Sequence, residues 1–382
     1  MSQPITPIIN DGRLIVCAGP GGVGKTTTAA ALGLQAALRG RRCIVLTIDP
    51  AKRLANSLGL DRLTNEPQRI EFDGQSEEDP GGLWAMMLDQ TETFEELLRR
   101  NAPDSASLER SRSNDIYRLM STTLHGIQEY AALEKLHELY TSGDFDLVVL
   151  DTPPTANALD FLDAPKRLRR FFDRRVMKWF LPDDQRSTGL VSRFINPGTV
   201  VLKLLRRFLG DSFVDELVEF FDTFQYLQET LEERGELIEY ILSDVRTHFL
   251  VVTSPDPRRI DEAFHFRDKL SGLKQEVSAF LVNRVTPPFD EEDLDGLGPE
   301  DLQSVRRAGA APLEAPDALL DAMGEHYAAL ARLARRDRHS LQRLADAVGQ
   351  DAVQSIPVLG EDVHSIDQLR TLGSFMTSQG EA

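Results

Sequence analysis

A glycine-rich segment near the N-terminus, CAGPGGVGKTT (residues 17–27), constrains this chain more than any other feature. Residues 19–26 match the pattern G-x-x-x-x-G-K-[ST], whose glycines let successive backbone N–H groups point into one concavity. The apolar run LIVCA (residues 14–18) before it predicts a strand, and TTAAALGLQAALRG after it predicts a helix. A loop between a strand and the N-terminus of a helix is the setting in which this pattern binds phosphate.

Two side chains of the loop add specific chemistry. Lys25 is placed to reach the β and γ phosphates of a nucleotide as a point charge, and the Thr26 hydroxyl is placed to bind Mg²⁺. Because the pattern occurs in its required context, the sequence predicts a nucleotide and Mg²⁺ site rather than a chance glycine turn.

Aspartates follow two of the apolar runs. Asp151 closes LVVLD (residues 147–151) and would hold Mg²⁺ through a water molecule. Asp49 ends RCIVLTID (residues 42–49), where a carboxylate would orient the water that attacks the γ-phosphate. The alternative is that both residues only cap the ends of their strands. Lys25 and Asp49 are thus the candidate catalytic residues, and Thr26 and Asp151 the candidate metal ligands.

The order of apolar runs and helical patterns predicts the fold class. The predicted strands are residues 14–18, 42–49, 83–89, 145–151, 247–254, 277–284 and 355–359. Runs that are apolar throughout, with helices between them, indicate an α/β fold with a doubly wound, mainly parallel sheet. The polar, acidic stretches 65–82 and 286–301 predict loops.

A long segment without any strand signal interrupts this pattern. We predict an α-helical insert at residues 166–244, with the sheet domain formed by residues 1–165 and 245–382. The insert contains RLRRFFDRRVMKWFL, which sets Phe171, Phe172, Val176, Trp179 and Phe180 among arginines. These residues either line a groove for a hydrophobic client or an anionic membrane, or form an ordinary core with a solvated basic face.

Composition excludes several other classes. The chain has 382 residues, with 43 Lys and Arg against 61 Asp and Glu, a net charge of −18 that argues against general nucleic-acid binding. Cys17 and Cys43 lie in apolar runs as core residues, and the seven histidines lack metal-ligand spacing. We recognise neither a signal peptide nor a run of about 20 apolar residues, so we expect a cytoplasmic protein.

Several motifs taken together resemble the ArsA-type ATPases, a group that includes anion-pump ATPases and ATPases that target tail-anchored membrane proteins. The resemblance rests on GPGGVGKTT, TIDPA and DTPPTANALDFLDAP. Weaker matches are GIQEYAALEKL, FLVNR and IPVLGEDVHSIDQLRTLG, and all lie in order between about residues 14 and 375. The resemblance implies a P-loop fold, ATP and Mg²⁺ as cofactors, and a dimer that ATP closes.

The resemblance also implies roles for individual residues. Asp49 would position water, while Asp151 and residues 152–155 would sense the γ-phosphate. Asn283 would contact the adenine edge, with Pro357 and Val358 beside the ring. The implied phosphate-binding residues are Gly21, Gly22, Val23, Gly24, Lys25, Thr26 and Thr27.

Four departures from the family pattern limit what is carried over. Pro20 stands where the family has a lysine that reaches the partner subunit's nucleotide, and Ala156-Asn157 replaces Gly-His. With two cysteines, the chain lacks both the zinc-holding Cys-x-x-Cys and a three-thiolate arsenite site. We expect slow hydrolysis by this chain alone, unless another basic residue replaces the missing lysine.

Three functional hypotheses remain at this point. The first is a Mg²⁺-dependent ATPase switch that handles a hydrophobic or membrane protein client, as a homodimer or as a heterodimer with a paralogous ATPase. The second is a positioning ATPase of the ParA/MinD kind, which the C-terminal SFMTSQGEA and the net charge disfavour. The third is a nucleotide-binding subunit of low activity that supports a catalytic paralogue. The client and the choice of homo- or heterodimer stay open.

Overall fold

The fold is an eight-stranded sheet with helices on both faces. The computed structural model describes residues 4–48, 53–73, 81–102, 104–116, 125–153, 162–164, 166–167, 204–208, 210–224, 227–287 and 317–377. The strands are β1 (Leu14–Ala18), β2 (Arg42–Thr47), β3 (Gln68–Ile70), β4 (Gly82–Met87), β5 (Leu147–Asp151), β6 (Thr247–Thr253), β7 (Val277–Val285) and β8 (Val353–Pro357). Their order across the sheet is β3-β4-β2-β5-β1-β6-β7-β8.

Helices follow most of the strands. They are α1 (Ile5–Asp11), α2 (Lys25–Ala37), α3 (Arg53–Ser57), α4 (Gln90–Asn101), α5 (Ser105–Ser113), α6 (His125–Ser142), α7 (Asp211–Phe224), α8 (Leu227–Leu242), α9 (Pro257–Gly272), α10 (Asp317–Val348) and α11 (Ile366–Thr377), with a 3₁₀ turn at Gln350–Ala352. None of these described helices is both long and apolar enough to span a bilayer.

The sheet is parallel except at one edge, which confirms the predicted fold class. Strands β1 and β5 are buried along their whole length because helices cover both faces. Alternate residues serve two separate cores: Leu14 and Val16 face one, and Ile15 and Cys17 face the other. The first core packs on α4, α6 and α9, and the second packs on α1, α2 and α11.

One edge strand corrects the sequence interpretation. Residues 68–70 fall in a stretch predicted as loop, yet they form β3 and pair antiparallel with β4. Only Ile70 of the three is buried, so the strand has no apolar run for a sequence pattern to detect. The seven predicted strands are all present, with ends that differ by a few residues; the last one ends at Pro357 instead of residue 359.

The described residues between β5 and β6 are mostly helical, with non-helical residues at 152–153, 210 and 243–246. The helices α7 and α8 carry the second half of this segment, and α8 packs against α6 and α4. The aromatic and basic run with Phe171, Phe172, Val176, Trp179 and Phe180 lies outside the described residues. The division into a sheet domain and an insert subdomain therefore stays a prediction.

The candidate site lies where the carboxyl ends of the parallel strands meet. Parallel strands bring their carboxyl ends to the same edge, where ligands bind in folds of this kind. The central strand β1 lies between β5 and β6, and its carboxyl end leads into the glycine-rich loop. Residues after β2, β5, β7 and β8 converge on the same edge.

Candidate functional site

The glycine-rich loop needs glycine at two points for reasons of space and backbone geometry. Gly24 has φ = 93° and precedes α2, and a Cβ atom there would lie 2.4 Å from Asn283 Nδ2. Gly19 has φ = 152°, and a Cβ atom there would lie 2.0 Å from the carbonyl oxygen of Val252. Both positive φ values favour glycine, and a Cβ atom at either position would force the neighbouring atom to move. The loop is therefore pressed against β6 and β7.

Lys25 extends over its own loop. Its Nζ donates a hydrogen bond of 3.0 Å to the backbone carbonyl of Pro20, and the residue is only 8% exposed. The ammonium group thus lies across the concavity in which the loop N–H groups would hold phosphate. This arrangement fits the predicted role of Lys25 as the cation that binds the phosphates.

Two hydroxyl groups converge on the carboxylate of Asp151. Thr26 Oγ1 donates to Asp151 Oδ2 at 2.7 Å, and Thr47 Oγ1 donates to the same oxygen at 2.9 Å. Asp151 is fully buried, and Thr47 is its register partner on β2. Hydroxyl and carboxylate oxygens are the hard ligands that Mg²⁺ prefers, so this pair fits the metal that the sequence predicts.

The residue after Asp151 ties the end of β5 to β1. Thr152 Oγ1 donates to the carbonyl of Cys17 at 2.9 Å, and the Thr152 backbone N–H donates to the same oxygen at 3.2 Å. Burial raises the pKa of the Cys17 thiol far above its ordinary range, and the nearby Asp151 carboxylate raises it further. Cys17 therefore stays a protonated core residue, in line with the sequence interpretation.

Asn283 bridges the loop and the end of β7. Its Nδ2 donates to the carbonyl of Val23 at 2.9 Å, and its Oδ1 accepts from the backbone N–H of Arg284 at 2.9 Å. An asparagine amide has two N–H donors and two acceptor lone pairs, so one of each remains for a ligand. Asn283 is thus both a structural support of the phosphate loop and a candidate contact to a base.

A cavity of about 360 Å³ opens over these residues. It is lined by Gly22, Gly24, Lys25, Thr26, Thr27, Asn56, Ser57, Thr152, Asn283, Arg284, Pro357, Val358, Leu359, Glu361, Asp362, Val363, His364 and Leu372. A volume of this size is in the range of small-molecule sites. Lys25 and Thr26 contribute polar groups to the cavity wall, whereas Pro357 and Val358 contribute apolar surface, with Val358 49% exposed.

The structure brings most of the predicted site residues together. Among the binding residues, Gly22, Gly24, Lys25, Thr26, Thr27, Asn283, Pro357 and Val358 lie on the cavity wall. Gly21 and Val23 belong to the same loop but do not line the cavity, and the Val23 side chain is buried in a core. Asp151 lies behind Thr26. Asp49 lies outside the described residues, so its role stays a prediction.

Sequence reasoning missed several residues of this site. Thr47 is the second donor to Asp151 and would have been found only from the register of β2 against β5. Arg284 follows the predicted Asn283 directly but was not singled out. Glu361 and Asp362 belong to the motif IPVLGEDVHSIDQLRTLG. Only the fold shows that these two acidic residues line the cavity.

Comparison with known proteins gives the family. Residues 12–298 match the family model of the ArsA ATPases, described as anion-transporting ATPases. An arsenical pump-driving ATPase of Aquifex aeolicus is 27% identical over 287 residues, which are 72% of this chain and 64% of that protein. The ATPase GET3 of Malassezia globosa is 28% identical over 41% of this chain and 44% of its own length.

A third relative is matched over a larger share of its own length. The ATPase get3 of Aspergillus terreus is 24% identical over 298 residues, which are 77% of this chain and 80% of that protein. This chain spans less than two thirds of the Aquifex and Malassezia relatives. Since the family model covers most of the chain and includes the loop and Asp151, the protein belongs to the ArsA family of ATPases.

Proposed function

We propose that this protein is a Mg²⁺-dependent ATPase that acts as a nucleotide switch. The observation that carries the proposal is the Thr26–Asp151 pair, joined at 2.7 Å directly beside the loop that Lys25 spans. A phosphate cradle next to a buried hydroxyl–carboxylate pair is the arrangement that P-loop enzymes use for a nucleotide and its metal. The names of the relatives, all ATPases, support the same activity.

Each residue has a distinct task in the proposed reaction. The loop N–H groups and Lys25 bind and orient the phosphates, and Thr26 and Asp151 hold Mg²⁺, which when bound neutralises phosphate charge. Thr47 fixes the Asp151 carboxylate through a 2.9 Å hydrogen bond. Asp49 follows β2 by two residues, and we assign it the orientation of the attacking water.

The proposed switch is a dimer that ATP closes and hydrolysis reopens. In the family pattern a lysine crosses the interface, and here its position is Pro20, which is buried and has no amide hydrogen. A contributed cation is worth about 10³-fold or more in related phosphoryl transfers. We therefore propose that this chain hydrolyses ATP slowly by itself.

The proposed output of the switch is the handling of a hydrophobic or membrane protein segment. Support comes from the described part of the insert, where Phe208 is 76% exposed and Leu204 is 56% exposed. Exposed apolar side chains of this size suit an apolar client better than a closed core. A cytoplasmic location agrees with this output.

A second candidate function is a nucleotide-binding subunit that supports a catalytic paralogue, and Pro20 favours it. Phosphate release and sedimentation velocity, measured with ATP and Mg²⁺ for the chain alone and mixed with a co-encoded paralogue, separate the two. Slow release with ATP-dependent dimers of the chain alone supports the first function. Phosphate release that needs the paralogue supports the second function. Phosphate release that is unchanged in a Lys25→Ala variant contradicts both.

A further inference from the structure

Arg284 is a charged residue of the cavity wall without a role in the proposed reaction. It directly follows Asn283 in β7, and both residues line the cavity. Successive residues of a regular strand point to opposite faces of the sheet, so two neighbours do not ordinarily share one cavity. Something in the backbone must therefore turn Arg284 toward the site.

The turn is a left-handed residue inside a strand. Arg284 has φ = 62°, and the register of β7 against β8 shifts between Val282 and Val285. Among the described residues, Lys274 is the only other non-glycine residue with positive φ, also at 62°. Lys274 lies just after the end of α9, where left-handed residues commonly terminate helices. Arg284 lies instead in the irregular stretch of β7, and bulges of this kind re-aim side chains and are common next to active sites.

The neighbours of Arg284 place it beside Pro357 and Val358 on the cavity wall. Val285 pairs with Pro357 on β8, and the carbonyl of Val285 accepts a 2.9 Å hydrogen bond from the N–H of Val358. Arg284 therefore lies beside the wall that Pro357 and Val358 form, next to Asn283. Among the described residues, no hydrogen bond or ion pair engages its guanidinium.

We propose that the Arg284 guanidinium contacts the base of the bound nucleotide and holds it against Val358. A planar guanidinium stacks on aromatic rings and donates to ring nitrogen acceptors, whereas the exposed Val358 offers an apolar surface to the other side of the ring. Arg284 is then a specificity-determining residue. Because of it, the site binds a purine nucleotide more tightly than a phosphate chain that has no base. This inference rests on the proposed nucleotide site and adds how that site recognises the base.

The test compares a ligand with a base and a ligand without one. The affinities of ATP and of inorganic tripolyphosphate, both with Mg²⁺, are measured by calorimetry for the full chain and for Arg284→Gln. We expect ATP to bind about 5- to 30-fold more weakly to the variant. Tripolyphosphate affinity should change less than about twofold, because the loop N–H groups, Lys25 and Thr26 that would bind the phosphates are unchanged in the variant.

Lys274→Gln is the matched control, because it also replaces a cation by glutamine at an exposed residue with φ = 62°, and Lys274 does not line the cavity. This variant should leave both affinities unchanged. Thermal melting shows that both variants fold. Equal losses for ATP and tripolyphosphate would overturn the inference, because they would mean that Arg284 acts only as a charge beside Glu361 and Asp362. An unchanged ATP affinity would overturn it as well. A wild-type chain that binds neither ligand would overturn the proposed function together with this inference.

Discussion

Gly24 and Asn283 make a close contact in the phosphate loop, in which a side chain at position 24 would displace the Asn283 amide. A Cβ atom at Gly24 would lie 2.4 Å from Asn283 Nδ2, which itself donates to the carbonyl of Val23. The sequence pattern predicted that this loop binds phosphate. It did not predict the contact, since residues 24 and 283 are far apart in the chain and meet only when β7 lies beside the loop.

Gly24→Ala should lower both stability and nucleotide affinity. The variant combines an unfavourable φ of 93° with the steric clash at Asn283, and we expect a loss of about 2–4 kcal/mol in unfolding free energy. Urea denaturation measures this value. Gly40→Ala is the control, because Gly40 has φ = 80° but open space around it. Backbone strain alone should lower the unfolding free energy of this variant by only about 1 kcal/mol. Equal losses for the two variants would contradict the assigned contact.

Thr47→Val should raise the Mg²⁺ concentration that tight ATP binding requires. The change removes one of the two hydroxyl donors to Asp151 Oδ2 and leaves the buried carboxylate poorly positioned, at a cost of about 1–3 kcal/mol. A titration of ATP binding against Mg²⁺ should shift to higher metal concentration. Thr253→Val removes a buried hydroxyl that donates to the carbonyl of Arg259 in the first turn of α9, and it should not shift the titration. A shift of the same size in both variants would show that Thr47 acts through stability alone.

At the scale of secondary-structure elements, the central strands were predictable and their connections were not. Strands β1 and β5 are apolar throughout because both faces are buried, and this pattern is visible in the sequence. The link between β7 and α10 is not visible. There Asp337, buried within α10, accepts hydrogen bonds from the backbone and hydroxyl of Thr286 at 3.1 and 2.7 Å. Such a pair depends on packing between elements, which no local pattern records.

The contact between α6 and α8 should make stability depend on pH. Arg234 of α8 lies 3.0 Å from Nδ1 of His137, and burial, reinforced by this guanidinium, lowers the pKa of His137 below its ordinary value of 6.5. Below about pH 6.5 the unfolded chain takes up a proton that the folded chain does not, so stability falls with falling pH. The expected slope is up to about 1.4 kcal/mol per pH unit.

Urea denaturation between pH 7 and pH 5 tests this prediction with the variant His137→Gln. The variant should lose less stability over this range than the wild type. Burial raises the pKa of the neighbouring Glu134, which has the opposite effect, but that contribution is present in both proteins and largely cancels. His265→Gln, at an exposed position, is the control and should keep the wild-type slope. An unchanged slope in His137→Gln would contradict the prediction.

At the scale of the whole molecule, the sheet gathers distant chain segments around one cavity. The loop after β1, α3 after β2, the residue after β5, the end of β7, the loop after β8 and Leu372 of α11 all contribute to the cavity wall. The sequence predicted the phosphate-binding end because one contiguous motif forms it. The wall formed by Arg284, Pro357 and Val358 depends on the left-handed residue at Arg284 and on the pairing of β7 with β8. Neither feature has a sequence signature.

Pro20→Lys should increase ATP turnover of the chain alone. If the family's lysine at this position is the missing cation, its return should raise turnover by about 10-fold or more at protein concentrations that allow dimers. Steady-state phosphate release measures the change. Pro20→Ala removes the ring without adding charge and should leave turnover near the wild-type value. Because Pro20 is buried, melting curves of both variants accompany the assay. A Pro20→Lys variant that folds but turns over no faster would show that the position is not responsible.

The central claim is that the glycine-rich loop and the Thr26–Asp151 pair form one site for ATP and Mg²⁺. Calorimetric titration of the full chain with ATP, with and without Mg²⁺, tests it directly when wild type and Lys25→Ala are compared. We predict that the wild type binds one ATP per chain, more tightly with Mg²⁺, and that Lys25→Ala loses this binding while keeping its fold. Wild-type binding that Mg²⁺ does not strengthen, or that survives in Lys25→Ala, would contradict the account.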